Sequence, residues 1–227
     1  MRLWRLPPLF SFRGKYRLLL LTLFVLFAAT PFFETSLFAD FVATVLFLVA
    51  LAAVGENRYL LTFSAILGGL ANIVNWLAFL TPELAFLLAG DVLDFAFLGL
   101  IAAAILKKVF AARLITQETV AGAACVYLIM GVMWADVFAL LENLQPGSYS
   151  GLAIALPGEV SGEQGQTHFH QFFYFSLVTL STLGYGDITP QTPPAQSLAA
   201  LEAISGQLYL AILVARLVSQ QILPKEG

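Results

Sequence analysis

The sequence predicts an all-α membrane protein of six transmembrane helices. Composition is the first reason: 59% of the 227 residues are hydrophobic, 11% are charged and the mean hydropathy is +0.86, too apolar for a soluble domain of this length. The second is six apolar runs, at about residues 17–33, 36–54, 59–80, 85–106, 119–142 and 196–222. Each is long enough, or nearly so, for a hydrocarbon core that takes about 20 helical residues. The third is the distribution of all 11 lysines and arginines, which falls on one side of a six-span chain and fixes its orientation by the positive-inside rule.

Arg2, Arg5, Arg13, Lys15 and Arg17 precede or open the first run. A basic stretch, a short apolar core and then Ala28 and Ala29 also describe a signal peptide, but an even count of six spans keeps both basic ends inside. Turn residues separate the next runs: Pro31, then Gly55, Glu56 and Asn57, then Thr81 and Pro82. Arg58 lies in the second connection, Lys107, Lys108 and Arg113 in the fourth, and Arg216 and Lys225 at the end. Both termini are therefore expected in the cytoplasm, with the protein in the plasma (cell inner) membrane. The connection from Lys107 to Gln117 is basic and apolar and is expected to lie along the inner membrane surface. The lone cysteine, Cys125, excludes an intrachain disulfide and reads as a small buried thiol.

Acidic residues inside the spans stand out, because an intramembrane carboxylate is costly unless it is paired, protonated or near water. Asp91 and Asp94 are three apart on one face of the fourth span. With Asp40, Asn72 and Asn75 they suggest a polar cluster, read either as interhelical hydrogen bonding or as a proton or divalent-cation site. Glu202 is expected to pack behind residues 182–187 or to meet Asp136 of the fifth span, where two acids would share a proton.

Between the last two spans lies YFSLVTLSTLGYGDITP, Tyr174 to Pro190. Within it, Thr182, Leu183, Gly184, Tyr185, Gly186 and Asp187 read TLGYGD. Alternate glycines accept positive φ, so successive peptide planes can turn their carbonyls toward one axis. Stacked carbonyl oxygens replace the water a dehydrated potassium ion loses, without adding fixed charge. This stretch resembles the potassium channel family. Gly206, 24 residues after Thr182 (206 − 182), matches the place where the family's inner helix often carries a hinge glycine, and LEAISGQLYLAILVARLV around it is similar to inner helices of small bacterial members.

The resemblance implies a pore domain over residues 116–227, with an outer helix at 119–142, a turret at 143–166, a re-entrant pore helix at 167–181, a filter at 182–187 and an inner helix at 196–222. Residues 1–115 would form a four-helix domain in the position of a voltage sensor. Potassium would be held at Thr182, Leu183, Gly184, Tyr185 and Gly186, with Asp187 at the mouth and Tyr174, Phe175, Val178 and Ser181 as filter support. Tyr174 and Phe175 either brace Tyr185 or belong to ordinary aromatic core packing. Leu183 replaces the commoner valine, and Val178 stands where some members have a glutamate that pairs with the filter aspartate, so Asp187 must find another partner or stay hydrated. Gly206 is either a hinge or a close-packing residue. Leu210, Leu213, Val214 and Leu217 are inner-gate candidates or lipid-facing residues.

One chain supplies one filter segment, so the resemblance implies a homotetramer in lipid. No cofactor beyond the permeant ion and no nucleic-acid partner are expected. The pore helix aims its negative carboxyl-terminal end at the central cavity. Residues 143–166 read as an irregular, exposed turret, whose acids Glu159 and Glu163 add to Glu34, Glu83, Glu142 and Asp187 on the outer face. His168 and His170 read as helix-start hydrogen bonders or as external pH sensors. The fourth span, AFLLAGDVLDFAFLGLIAAAI, lacks basic residues, so arginine-based voltage gating is not expected. Only LPKEG follows the inner helix, so control by a soluble domain would require a separate protein.

The function expected is passive, potassium-selective conduction. The alternatives are a weakly selective cation channel and a non-conducting, channel-like subunit or scaffold. An intramembrane enzyme is disfavoured: no nucleophile and base pair and no metal-ligand spacing is present.

Overall fold

The computed structural model describes residues 14–29, 36–54, 58–81, 83–112, 114–152 and 161–222. The chain runs α1 (Lys15–Ala29), α2 (Ser36–Val54), α3 (Arg58–Leu80), α4 (Leu84–Ala111), α5 (Gln117–Leu144), β1 (Tyr149–Ser150), α6 (Ser161–Leu180), β2 (Thr189–Pro190) and α7 (Pro193–Ile222). Among the described residues four helices, α3, α4, α5 and α7, are long and apolar enough to cross a membrane. α1, at 15 residues, rises about 22 Å at 1.5 Å per residue, which is short of the ~30 Å hydrocarbon core. Several sequence expectations lie outside the described residues: Arg2, Arg5 and Arg13, Glu34, the breaks at Pro31, Gly55 to Asn57 and Pro82, Arg113, Glu159, and the final LPKEG. The side chains of Asp40, Glu163 and His168 lie outside them too.

Local chemistry sets the helix ends. α5 opens on reciprocal capping, in which the Thr119 N–H donates to Thr116 Oγ1 at 3.2 Å and the Thr116 N–H donates to Thr119 Oγ1 at 3.3 Å. α7 opens on Pro193 and Pro194, whose missing N–H groups cost nothing in a first turn. α4 does not stop at the predicted 106 but continues through Lys107 and Lys108 to Ala111. Lysine is a good helix former, and the link to α5 shrinks to residues 112–116. The expected surface segment from Lys107 to Gln117 is corrected accordingly.

The core follows α5, which packs against α1, α4, α6 and α7. Leu19 and Leu23 of α1, Phe97, Ile101 and Ile105 of α4, and Cys125, Val126 and Ile129 of α5 are buried together. The Cys125 thiol donates to the Tyr16 carbonyl at 3.2 Å. Toward the other end of α5, Phe138 meets Phe175 of α6 at 5.1 Å between centroids and Tyr149 of β1 at 5.6 Å, while Tyr149 meets Phe172 edge-on at 5.1 Å. Each such pair contributes about 0.5–1.5 kcal/mol beyond area burial, and the cluster fixes α6 against α5.

The region read as an irregular turret is more ordered than expected. Tyr149 and Ser150 pair antiparallel with Pro190 and Thr189, in the register Tyr149↔Pro190 and Ser150↔Thr189. Glu142 anchors the turn before β1, accepting from the Gly147 N–H at 2.7 Å and the Tyr149 N–H at 3.2 Å. α6 begins at Ser161, six residues ahead of the expected 167 (167 − 161).

Candidate functional site

α6 ends at Leu180, and the chain from Ser181 to Asp187 is non-helical and exposed in the single chain. Its amides turn back on the helix they leave. The Ser181 N–H donates to the Leu177 carbonyl at 3.1 Å, Thr182 to Thr179 at 2.9 Å, Leu183 to Val178 at 2.9 Å and Gly184 to Val178 at 3.4 Å. These bonds satisfy otherwise orphaned carbonyls at the end of α6 and occupy the N–H groups of Ser181 to Gly184. Positive φ recurs at every second residue: 58° at Thr182, 58° at Gly184 and 78° at Gly186. Alternation of left- and right-handed residues is the backbone form that turns successive carbonyls to one side. The glycines accept it freely, whereas Thr182 is a β-branched residue in a strained region. Glycine spacing pointed to positions 184 and 186; position 182 carried no such signal.

The supporting residues divide. The Tyr174 hydroxyl donates to Asp187 Oδ2 at 2.8 Å, so Asp187 has the other partner that Val178 made necessary. That hydrogen bond holds the Asp187 carboxyl below the usual carboxylate range and raises the Tyr174 phenol. Of the two readings of Phe175, aromatic core packing has direct contacts, its ring lying against Phe138 and Tyr149. Val178 is buried and supplies the double-acceptor carbonyl just described. Ser181 Oγ donates to the Leu177 carbonyl at 2.7 Å. Beyond Asp187, Ser150 Oγ and Thr189 Oγ1 lie 2.8 Å apart, and Gln191 Nε2 donates to both, at 2.8 and 2.9 Å. Burial lowers His170 from its ordinary value.

α7 closes the back of the site. It is helical through Gly206, and a Cβ there would lie 2.6 Å from the Leu180 carbonyl oxygen and 2.8 Å from Leu180 Cδ1. Of the two readings of Gly206, close packing therefore has a direct contact in this conformation. Glu202 is fully buried and bonded to Ser176 Oγ at 2.5 Å, and Ser176 Oγ lies 2.7 Å from the Gly131 carbonyl. Glu202 thus packs behind α6, and the expected pairing with Asp136 is corrected. Trp134 Nε1 donates to Ser205 Oγ at 3.3 Å, and the Tyr209 hydroxyl donates to the Ala123 carbonyl at 2.7 Å, tying α7 to α5. Of the gate candidates, Leu213 is half-buried against the chain's own core and Leu217 is half-buried, whereas Leu210 and Val214 are exposed.

The remaining acids gather elsewhere. Asn75 Nδ2 donates to Asp94 Oδ2 at 2.7 Å, and Asn143 Nδ2 to Asp91 Oδ2 at 3.4 Å. Asp136 is buried within electrostatic reach of both aspartates, and its Oδ2 has no hydrogen-bond partner. Asn72 bonds Thr44 and the Gly68 carbonyl instead. Among the described residues no group of His, Cys, Asp and Glu is arranged to hold a metal ion. Sequence reasoning missed Asn143, which sits two turns beyond Asp136 on the same helix. It also missed a link at the basic end: the Arg216 guanidinium of α7 donates to the Phe110 carbonyl in the last turn of α4 and lies over the Phe110 ring at 5.2 Å.

Residues 114–221 match the family model described as "Ion channel". The chain is 42% identical over 66 residues to two pore potassium channel c of Oryza sativa subsp. japonica, covering 29% of this chain and 14% of that one. It is 30% identical over 101 residues to the inward rectifier potassium channel Kirbac3.1 of Paramagnetospirillum magnetotacticum, covering 44% and 34%. It is 33% identical over 97 residues to the voltage-gated potassium channel KCNC1 of Mus musculus, covering 41% and 17%. The chain thus spans between 14% and 34% of the length of these relatives. No solved structure matches. The matched family and these relatives are ion channels, not enzymes. A helical, multi-pass architecture and a match over residues 114–221 to the ion channel family model agree, and this half of the chain is similar to potassium channels.

Proposed function

We propose that four copies of the chain surround a common axis and conduct potassium passively and selectively through carbonyl rings of Thr182, Leu183, Gly184, Tyr185 and Gly186. Asp187 lies at the outer mouth. In this reading α1 to α5 and α7 make six spans with both termini in the cytoplasm. Residues 1–115 form a bundle without gating arginines, and residues 116–227 form the pore.

The observation that carries the reading is the backbone of Thr182 to Gly186. Its alternating positive φ values, with the Thr182 to Gly184 amides bonded back to α6, support carbonyls free to face an ion. Non-helical backbone survives at membrane depth only when it is buried in protein or lines water. Here Leu183 is 55% and Tyr185 66% exposed in the lone chain, a surface that neighbouring copies would cover. The exposed apolar face of α7, with Leu201, Ile204, Leu208 and Ile212, suits contact with lipid or neighbours.

Purified protein in liposomes, assayed for potassium and sodium flux with barium as blocker, tests this function. Barium-blocked flux favouring potassium is expected. Equal fluxes would make the chain a weakly selective cation channel, and no flux across pH and voltage would make it a scaffold.

A further inference from the structure

Ser176 sits at the centre of a buried contact between three helices. Its Oγ lies 2.5 Å from Glu202 Oε1 of α7 and 2.7 Å from the Gly131 carbonyl of α5, and both Ser176 and Glu202 are fully buried. A serine hydroxyl carries one proton. The Gly131 carbonyl can only accept, so if Glu202 were ionised two acceptors would compete for that single hydrogen and one short contact would have none.

We propose that Glu202 is a neutral acid that donates its proton to Ser176 Oγ, while the Ser176 proton goes to the Gly131 carbonyl. This relay supplies one proton per contact, and it is the only assignment that does so. It also removes a buried, uncompensated carboxylate, which apolar surroundings strongly disfavour. The side chain's hydrogen-bond partner among the described residues is Ser176, and Oε2 has none. The titratable groups facing Glu202 from the packed elements are the phenols of Tyr127 on α5 and Tyr149 on β1, and neither brings a positive charge.

The relay ties α7 and α5 to α6 one turn before Leu180. The carbonyls of Leu177, Val178 and Thr179, which accept the Ser181 to Gly184 amides, lie within the three residues after Ser176. Glu202 and Ser176 are therefore positioning residues for the carbonyl segment. They act through α6 and do not touch the ion. This role rests on the proposed conduction function, whereas the protonation state does not.

Two measurements on the full-length protein in liposomes test the proposal. Infrared difference spectra of wild type minus Glu202→Gln at neutral pH are expected to contain the C=O stretch of a protonated carboxyl that the variant lacks. A carboxylate band in its place overturns the relay, whatever the protein conducts. Glu202→Gln keeps a neutral donor and is expected to preserve the potassium-to-sodium flux ratio. Ser176→Ala and Glu202→Ala are each expected to lower it by about tenfold, the scale of one buried hydrogen bond. A Gln variant as impaired as the Ala variants, or an unchanged ratio in Ser176→Ala, overturns the positioning role. If wild type shows no flux, the conduction reading fails while the infrared result still decides the relay.

Discussion

The Tyr174 hydroxyl donates to Asp187 Oδ2 at 2.8 Å, closing a loop of 13 residues (187 − 174) from α6 to the far end of the TLGYGD segment. With β1 paired to β2 just beyond, both ends of the segment are held: the Thr182 end by the α6 carbonyls and the Asp187 end by a phenol and a two-stranded clasp.

Tyr174→Phe removes the outer tie and leaves Asp187 to water. Potassium currents in planar bilayers are expected to decline faster during sustained opening than in wild type, and an unchanged time course would count against the tie. Its pH dependence has a definite sign. The Asp187 carboxyl is held below its ordinary value by the Tyr174 bond, so the tie is complete above about pH 4, the ordinary aspartate value, and is lost as pH falls through the lower folded value. Currents recorded against external pH should therefore fail at a higher pH in Tyr174→Phe.

Gly206→Ala separates close packing from hinging. The added Cβ would meet the Leu180 carbonyl oxygen at 2.6 Å, an overpacking cost on the order of 1–3 kcal/mol. The thermal midpoint of the assembly in detergent should fall, and selectivity should fall with it. A variant of wild-type stability that merely opens less would favour the hinge.

Asp91→Asn with Asp94→Asn tests the polar cluster. Each new amide can still accept from Asn143 and Asn75, so stability is expected to change by less than about 1 kcal/mol. Currents and their response to protons should stay as they are. A lost proton response would give the cluster a regulatory role beyond hydrogen bonding.

Phe138→Ala opens a cavity among Phe175, Tyr149 and Trp134. Truncating a buried phenylalanine to alanine costs roughly 3–5 kcal/mol, and here the loss loosens the wall behind α6. A lower melting temperature and a reduced potassium-to-sodium flux ratio are expected together; a lower melting temperature alone would uncouple this wall from the carbonyl segment.

What the sequence made legible was the periodic and the spaced. Apolar runs located α2, α3 and α5 to within a few residues, and alternate glycines pointed to positive φ at 184 and 186. Thr182 shares that conformation without a glycine to announce it, because the alternation is imposed by its neighbours. Phe175 reads either way from the sequence, toward Tyr185 or into the aromatic core, and helical geometry turns it to α5, where Phe138 waits. α4 ran past its predicted end because charge marks a membrane boundary and not a helix end. The division of the acids, with Asp136 joining Asp91 and Asp94 while Glu202 finds Ser176, depends on how four helices cross, which spacing along one chain does not encode.

The central claim is that the backbone from Thr182 to Gly186 selects potassium. Its most direct test is the reversal potential of the reconstituted protein in a planar bilayer with potassium on one side and sodium on the other. The account predicts a reversal potential far from zero, with the sign set by potassium flow, whereas a reversal near zero would contradict it.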